Sequence, residues 1–161
     1  MKNNKNVLFL ARGALIASLY VVLTYVVHMF GLDSGAIQVR ISEALVALLY
    51  FTPAAIPGLC LGCFLSNLLV GGVIADIIFG TLATFLGAVA GYFLRRINKY
   101  LVLIPSIISN TIIIPFVLIY SYNVGDAWWY LMLTVGIGEI ISCGIFGAIL
   151  LKSLEKHKLF R

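Results

Sequence analysis

The sequence predicts an all-α integral membrane protein of six transmembrane helices, and three observations carry that reading. Of the 161 residues, 62% are hydrophobic and only 11% are charged. A soluble domain usually carries roughly 25% charged residues to cover its surface for water. The apolar residues fall in runs, several of them close to the roughly 20 residues that cross a bilayer. The basic residues behind the net charge of +5 sit in short clusters between those runs. That is the positive-inside pattern, and no interleaving of aromatic and basic residues offers a nucleic-acid surface instead. No linker, charged block or low-complexity segment divides the chain, so residues 1–161 are expected to form a single membrane domain.

The first span is placed at 7–30, where Val7 to Phe30 is interrupted only by Arg12. Its basic start resembles a secretory leader. No small-x-small cleavage site stands before residue 36, and more apolar runs follow, so it is expected to remain. Ala44 to Leu94 is too long for one span. Pro53, Pro57 and Gly58 suggest one break, and Gly71-Gly72 followed by Asp76 suggests another. The spans there are placed at 44–57, 58–73 and 76–94. The last two are placed at 101–120 and 129–151.

Charge then sets direction. Lys2, Lys5 and Arg12 flank the first span, and Arg95, Arg96 and Lys99 separate the fourth from the fifth. Lys152, Lys156, Lys158 and Arg161 follow the sixth. Six spans put all three clusters on one side, the cytoplasm of a cell membrane, with both termini there. The opposite loops then hold Asp33, Glu43, Asp76 and Asp126, with Arg40 as their only basic residue. Trp128, Trp129 and Tyr130 fall at the outer end of the sixth span, as an aromatic belt would.

Polar residues inside such runs are candidates for function, because a carboxylate at bilayer depth needs a partner or a cavity. Glu139 lies about eleven residues inward from Trp128, near the midplane. Asn110 lies at a similar depth on the fifth span. The two form one polar layer that reads as part of a ligand pocket, although for Asn110 a plain helix–helix hydrogen bond is as good an account. Asn67, mid-span in the third helix, has the same two readings. Asp76 opens the fourth span, where capping a helix N-terminus competes with ligand binding. The segment Gln38-Val39-Arg40-Ile41-Ser42-Glu43 reads as a lid offering Arg40 and Glu43 to a ligand. The alternative is a solvated loop with a weak Arg40–Glu43 ion pair.

On the first span Gly13 with Ala17, and Ala14 with Ser18, make a smooth stripe that lets another helix approach closely. Packing within the chain accounts for it equally. Cys60 and Cys63 are expected to be small core residues, since two thiols cannot complete a zinc site. Cys143 stands one turn from Glu139 and could line the pocket. His28 is expected to be interfacial. No phosphate-binding loop and no metalloprotease or serine-hydrolase signature occurs. The chain is therefore not expected to be an enzyme, and no cofactor or metal is expected.

Three segments resemble a known family. They are Gln38-Val39-Arg40-Ile41-Ser42-Glu43-Ala44-Leu45, then Ala55-Ile56-Pro57-Gly58 with Asn67, and Asp76-Ile77-Ile78-Phe79-Gly80-Thr81-Leu82-Ala83-Thr84. With a weaker match at Gly136-Ile137-Gly138-Glu139, they are similar to the queuosine-precursor transporter family QueT, which supplies substrate-binding S-components of energy-coupling factor (ECF) transporters. The resemblance implies a six-helix S-component bundle with a transmembrane coupling subunit and two cytosolic ATPases as partners. It implies that Gly13, Ala14, Ala17 and Ser18 face the coupling subunit. The implied ligand is a 7-deazaguanine base or related queuosine precursor, imported to salvage a tRNA modification. A guanine-like edge presents N–H donors to a carboxylate, and an aminomethyl group would want a second one. Glu139 is expected on the base edge or the amine, and Asn110 and Asn67 on the remaining polar edge. Arg40 and Glu43 are expected to close from the lid, and Phe116, Tyr120, Tyr122 and Trp128 to stack. The alternatives are an S-component for another vitamin or purine-like ligand, and a small ion-coupled carrier with Glu139 as its proton site.

Overall fold

The computed structural model describes residues 2–31, 39–123 and 125–157. Asp33, Gln38, Lys158 and Arg161, named above, lie outside them, as does the side chain of Lys2. Among the described residues every regular element is helical. Helix α1 runs Lys2–Met29. It stops at Gly31, whose φ of 67° is open to glycine at little cost. A 3₁₀ helix, Ile41–Tyr50, follows, then α2 (Ala55–Leu69) and α3 (Ile74–Leu94). A short 3₁₀ turn, Lys99–Val102, leads into α4 (Ile104–Tyr122). The last segment is one unbroken rod. It consists of α5 (Trp128–Glu139), a π-helical stretch (Ile140–Phe146) and α6 (Gly147–His157).

Four of these segments are long and apolar enough to cross a membrane: 4–29, 74–94, 99–122 and 128–157. Ile41–Tyr50 and Ala55–Leu69 are shorter. The segment expected at 44–57 is thus wound over 41–50, and that expected at 58–73 over 55–69. The break falls at Phe51–Ala54, where the Thr52 hydroxyl accepts from Ala54 N at 3.3 Å, and Pro57 sits in the first turn of α2 where no N–H is missed. Helix α2 closes in a Schellman turn. Gly72 N bonds to Asn67 O at 2.9 Å, and Gly71 has a φ of 78°.

The 3₁₀ helix Ile41–Tyr50 is the centre of the molecule. Ser42 through Leu49 are all buried, as expected of a helix that is apolar on nearly every side. Its leucines and valine share a core with Ile16 and Tyr20 of α1, Leu59 and Cys63 of α2, Ala88 of α3, Val102, and Cys143 and Leu151 of the last rod. Outward faces carry exposed Leu, Ile, Val and Phe over most of their length. Apolar surface on that scale belongs against hydrocarbon, and the protein is a membrane protein.

Small residues set the helix spacing. A Cβ on Gly62 would stand 2.6 Å from Tyr20 Cβ, and one on Gly58 2.8 Å from Gly13 O. Between α3 and its neighbours a Cβ on Gly87 would meet Ser106 Cα at 2.6 Å, and one on Gly91 would meet Val102 O at 2.5 Å. The ends are tied too. Lys99 pairs with Glu155 at 2.6 Å, and Arg95 donates to Tyr50 O at 3.4 Å. The α3–α4 connection and the end of α6, with their basic residues, thus share one end of the bundle.

Close approach at Gly62 gives a direct prediction. Gly62→Val forces α1 and α2 apart and is expected to cost about 1–3 kcal/mol. That reads as a fall of several degrees in the thermal midpoint of the detergent-solubilised protein. Gly125→Ala, where nothing lies within 4 Å, should leave the midpoint unchanged. Equal midpoints for both variants would contradict the packing described.

Candidate ligand site

Polar side chains from all parts of the bundle converge beside the central 3₁₀ helix. Helix α1 supplies Tyr20 and Thr24, one turn apart and therefore on one face. The Tyr20 hydroxyl donates to Glu43 Oε1, and the Thr24 hydroxyl donates to Ser42 Oγ at 2.8 Å. Consecutive residues of the 3₁₀ helix are thus met by consecutive turns of α1. Glu43 is 1% exposed, Glu139 6% and Asn110 4%. The Asn110 amide lies beside both carboxylates. Glu139 feels the charge of Glu43, and both acids feel that of Arg40.

Glu139 owes its position to irregular winding. It is the last residue of α5, at the junction with the π stretch. A π turn inserts a residue into the α repeat and re-aims the side chains that follow, an arrangement frequent at functional sites. The same stretch turns Ser142 inward, where its hydroxyl accepts from Arg40 N at 3.0 Å. That bond ties the chain entering the 3₁₀ helix to the last rod.

A second polar layer lies toward the opposite end from the basic clusters. The Arg40 guanidinium stands 4.0 Å from Asp76 Oδ2. Tyr122 donates to the same oxygen at 3.2 Å and accepts from Val73 N at 3.4 Å. The Asn67 amide donates to Asp76 O at 3.4 Å and to Cys63 Sγ at 3.7 Å. A Cβ on Gly80 would press on that amide at 3.0 Å, so the glycine makes room for it.

Among the described residues, two buried oxygens of this array have no hydrogen-bond partner, Glu43 Oε2 and Glu139 Oε2. Buried polar atoms are paired in the great majority of cases, and a carboxylate oxygen left bare is costly. Both belong to one cluster, so the cluster has the capacity to accept two further hydrogen bonds.

The structure brings together most of the residues singled out in the sequence. Glu139, Asn110, Glu43 and Arg40 form the inner group, and Asp76, Asn67 and Tyr122 the layer beside it. Two expectations change. Glu43 belongs neither to a lid nor to a solvated loop. It is part of the central helix, because the apolar run around it buries on all sides. Arg40 pairs with Asp76 rather than with Glu43. Gln38, the start of the expected lid, lies outside the described residues.

The aromatic candidates separate. Phe116 stacks on Tyr120 at 6.5 Å between ring centres and meets Trp128 at 5.7 Å. These rings are exposed, Tyr120 by 77%, and Phe116 and Tyr120 line an apolar recess of about 440 Å³ between α3 and α4. Phe116 is about 240° round the helix from Asn110 and so faces away from the inner group. Cys143 is fully buried near the carboxylates, but its thiol donates to Leu103 O at 3.6 Å.

The small-residue stripe of α1 also divides. Gly13 and Ala17 are buried against α2, while Ala14 and Ser18 are exposed. With Leu61, Leu65, Leu68 and Leu69 the exposed pair lines a groove of about 550 Å³. The Ser18 hydroxyl bonds back to Ala14 O at 2.7 Å, so the groove floor is apolar.

Tyr20, Thr24, Ser42 and Ser142 are not among the sequence candidates. A signal for the first two is present in their four-residue spacing on an otherwise apolar span.

A family model described as QueT transporter matches residues 10–156. No curated protein and no solved structure matches the chain.

Tyr20→Phe removes the hydroxyl that satisfies Glu43 Oε1 and leaves a second bare oxygen on a buried carboxylate. The expected cost is about 1–3 kcal/mol, seen as a lowered thermal midpoint. A midpoint equal to that of the unaltered protein would mean that Glu43 does not depend on Tyr20.

Proposed function

The chain belongs to the QueT transporter family, and from that membership we propose that it is the substrate-binding S-component of an ECF transporter for a queuosine precursor. The observation that carries the ligand reading is the pair of buried, unpartnered oxygens on Glu43 and Glu139. A 7-deazaguanine keeps the guanine edge, with N–H donors side by side and a carbonyl next to them. Glu139 accepts the donors, and Asn110, whose amide can donate, serves the carbonyl. Arg40, Asp76 and Tyr122 close the site on the side away from the basic clusters, which we take as the outside of the cytoplasmic membrane. In this reading the 3₁₀ helix Ile41–Tyr50 and α2 are membrane-embedded segments that complete six.

The chain carries no phosphate-binding loop, so ATP hydrolysis falls to two cytosolic ATPases joined through a transmembrane coupling subunit. The groove floored by Ala14 and Ser18 is the place where that subunit docks. Its apolar floor suits a partner helix packed closely within the membrane.

Binding tests the ligand half. The purified chain is expected to bind a 7-deazaguanine base, and Glu139→Gln to weaken binding by about tenfold or more, the worth of a charge-assisted hydrogen bond. Unaltered tight binding would remove Glu139 from the site. Flux of the base in vesicles holding this chain alone, driven by a proton gradient, would favour an ion-coupled carrier instead.

Assembly tests the partner half. Ala14→Leu with Ser18→Leu fills the groove, and should abolish co-purification with the coupling subunit while base binding stays within about twofold. Retained co-purification would place the interface elsewhere.

A further inference from the structure

The basic end of the bundle spends its cations unequally. The chain stays helically wound just past α3, where Ile97 N and Asn98 N both bond to Leu94 O, at 3.0 and 3.4 Å. Arg95 is turned into the protein. Its guanidinium lies 3.8 Å over the Tyr92 ring and donates to the Tyr92 hydroxyl at 2.9 Å and to Tyr50 O at 3.4 Å. Arg96, the next residue, is exposed and has no partner among the described residues. Three and four residues on from Phe93, Arg96 and Ile97 share its face, and Phe93 is 70% and Ile97 74% exposed. Lys99 reaches Glu155 at 2.6 Å, which sets this turn against the end of α6. Glu155 is the only acidic residue in 93–102 and 147–157, and Lys99 takes it. Lys152 and Lys156 are exposed and lack a partner among the described residues. They stand four apart on one face of α6, a spacing at which like charges repel.

We propose that this end of the bundle binds anionic phospholipid, with Arg96, Lys152 and Lys156 meeting the headgroup phosphate and Phe93 and Ile97 lying along an acyl chain. The charge is one-sided, and a phosphate supplies what the chain lacks there. A soluble anion would engage the cations but leave Phe93 and Ile97 uncovered, whereas a lipid answers both. The α3 span ends at Leu94, so the cations stand where a span gives way to headgroups. Long cationic side chains run to that level with their carbon stems on apolar surface. Basic residues just outside a span are drawn to anionic lipid, and the attraction accumulates residue by residue. In the orientation proposed above, the leaflet concerned is the cytoplasmic one. The buried cluster around Glu43 and Glu139 takes no part in this recognition.

Native mass spectrometry of the full chain in detergent, with equal amounts of phosphatidylglycerol and phosphatidylcholine of the same acyl chains, reads the preference. The unaltered protein should retain the anionic lipid at least about fivefold more than the zwitterionic one. Arg96→Gln with Lys152→Gln and Lys156→Gln should bring the ratio to within about twofold of one, while the thermal midpoint in phosphatidylcholine stays unchanged. Arg96→Lys with Lys152→Arg and Lys156→Arg keeps the charge and should keep the preference. If the triple glutamine variant is unstable, Lys152→Gln with Lys156→Gln alone should still cut the ratio by about half or more. Equal retention of the two lipids by the unaltered protein overturns the proposal, as does an undiminished ratio in a folded glutamine variant. Release of the anionic lipid by inorganic phosphate, beyond the release caused by chloride at equal ionic strength, would mark a site for a free anion and overturns it too.

Discussion

Two carboxylates held among apolar side chains are the constraint around which this protein is organised. In water Glu43 and Glu139 would be ordinary surface acids. In a bundle whose outer faces are Leu, Ile, Val and Phe they can persist only with hydrogen-bond partners and opposite charge close by. The neighbouring polar groups follow from that need. Tyr20 serves one oxygen of Glu43, Asn110 lies between the two acids, and Arg40 supplies the opposing charge. Arg40 is itself held by Asp76 and, through its backbone N–H, by Ser142. Elements far apart in the chain are joined at one polar point, while the rest of their contact is apolar and far less directional.

That constraint explains what is legible in the sequence. Glu139 and Asn110 can be paired by depth alone, because in an apolar span a carboxylate or an amide is rare enough to be informative. Glu43 is recognisable as a candidate, yet its neighbours misplace it, since Arg40, Ser42 and Glu43 together look like the edge of water. The apolar run beyond them decides otherwise: from Ser42 to Leu49 every residue is buried. The hydroxyls are hidden for the opposite reason. Tyr, Thr and Ser are tolerated in membrane helices, and Ser and Thr turn their bonds back on their own backbone, as Ser18 does at 2.7 Å. Tyr20 and Thr24 are distinguished from Ser18 only by what stands opposite them.

Aromatic and small residues are harder to read. A ring in a membrane helix is equally at home against lipid, at the interface or in a pocket, and Phe116, Tyr120 and Trp128 cluster with one another on the outside. Helical phase does separate Phe116 from Asn110, because six residues carry a side chain well past the far side. The small residues of α1 look like one stripe and prove to be two. Gly13 and Ala17 close on α2, and Ala14 and Ser18 stay open. Gly87 and Gly91 of α3 press hard on neighbouring backbone, on the buried face they share with Gly80 and Thr84.

Irregular winding is the remaining step between sequence and site. Ten residues wound as a 3₁₀ helix extend about 20 Å, against about 15 Å as an α-helix. A short apolar run can thereby reach through much of the bundle while presenting Glu43 near one end and core residues along the rest. The π stretch acts in the other direction. It packs extra chain into the last rod just where Glu139 ends α5 and Ser142 must meet Arg40. Neither departure has a strong sequence signal, since both segments are apolar and would be drawn as ordinary α-helix. Both adjoin the two carboxylates, and the energetic reason is the same in each case. A regular helix would have placed these side chains by its own repeat, whereas a site with two buried acids places them by the partners they must meet.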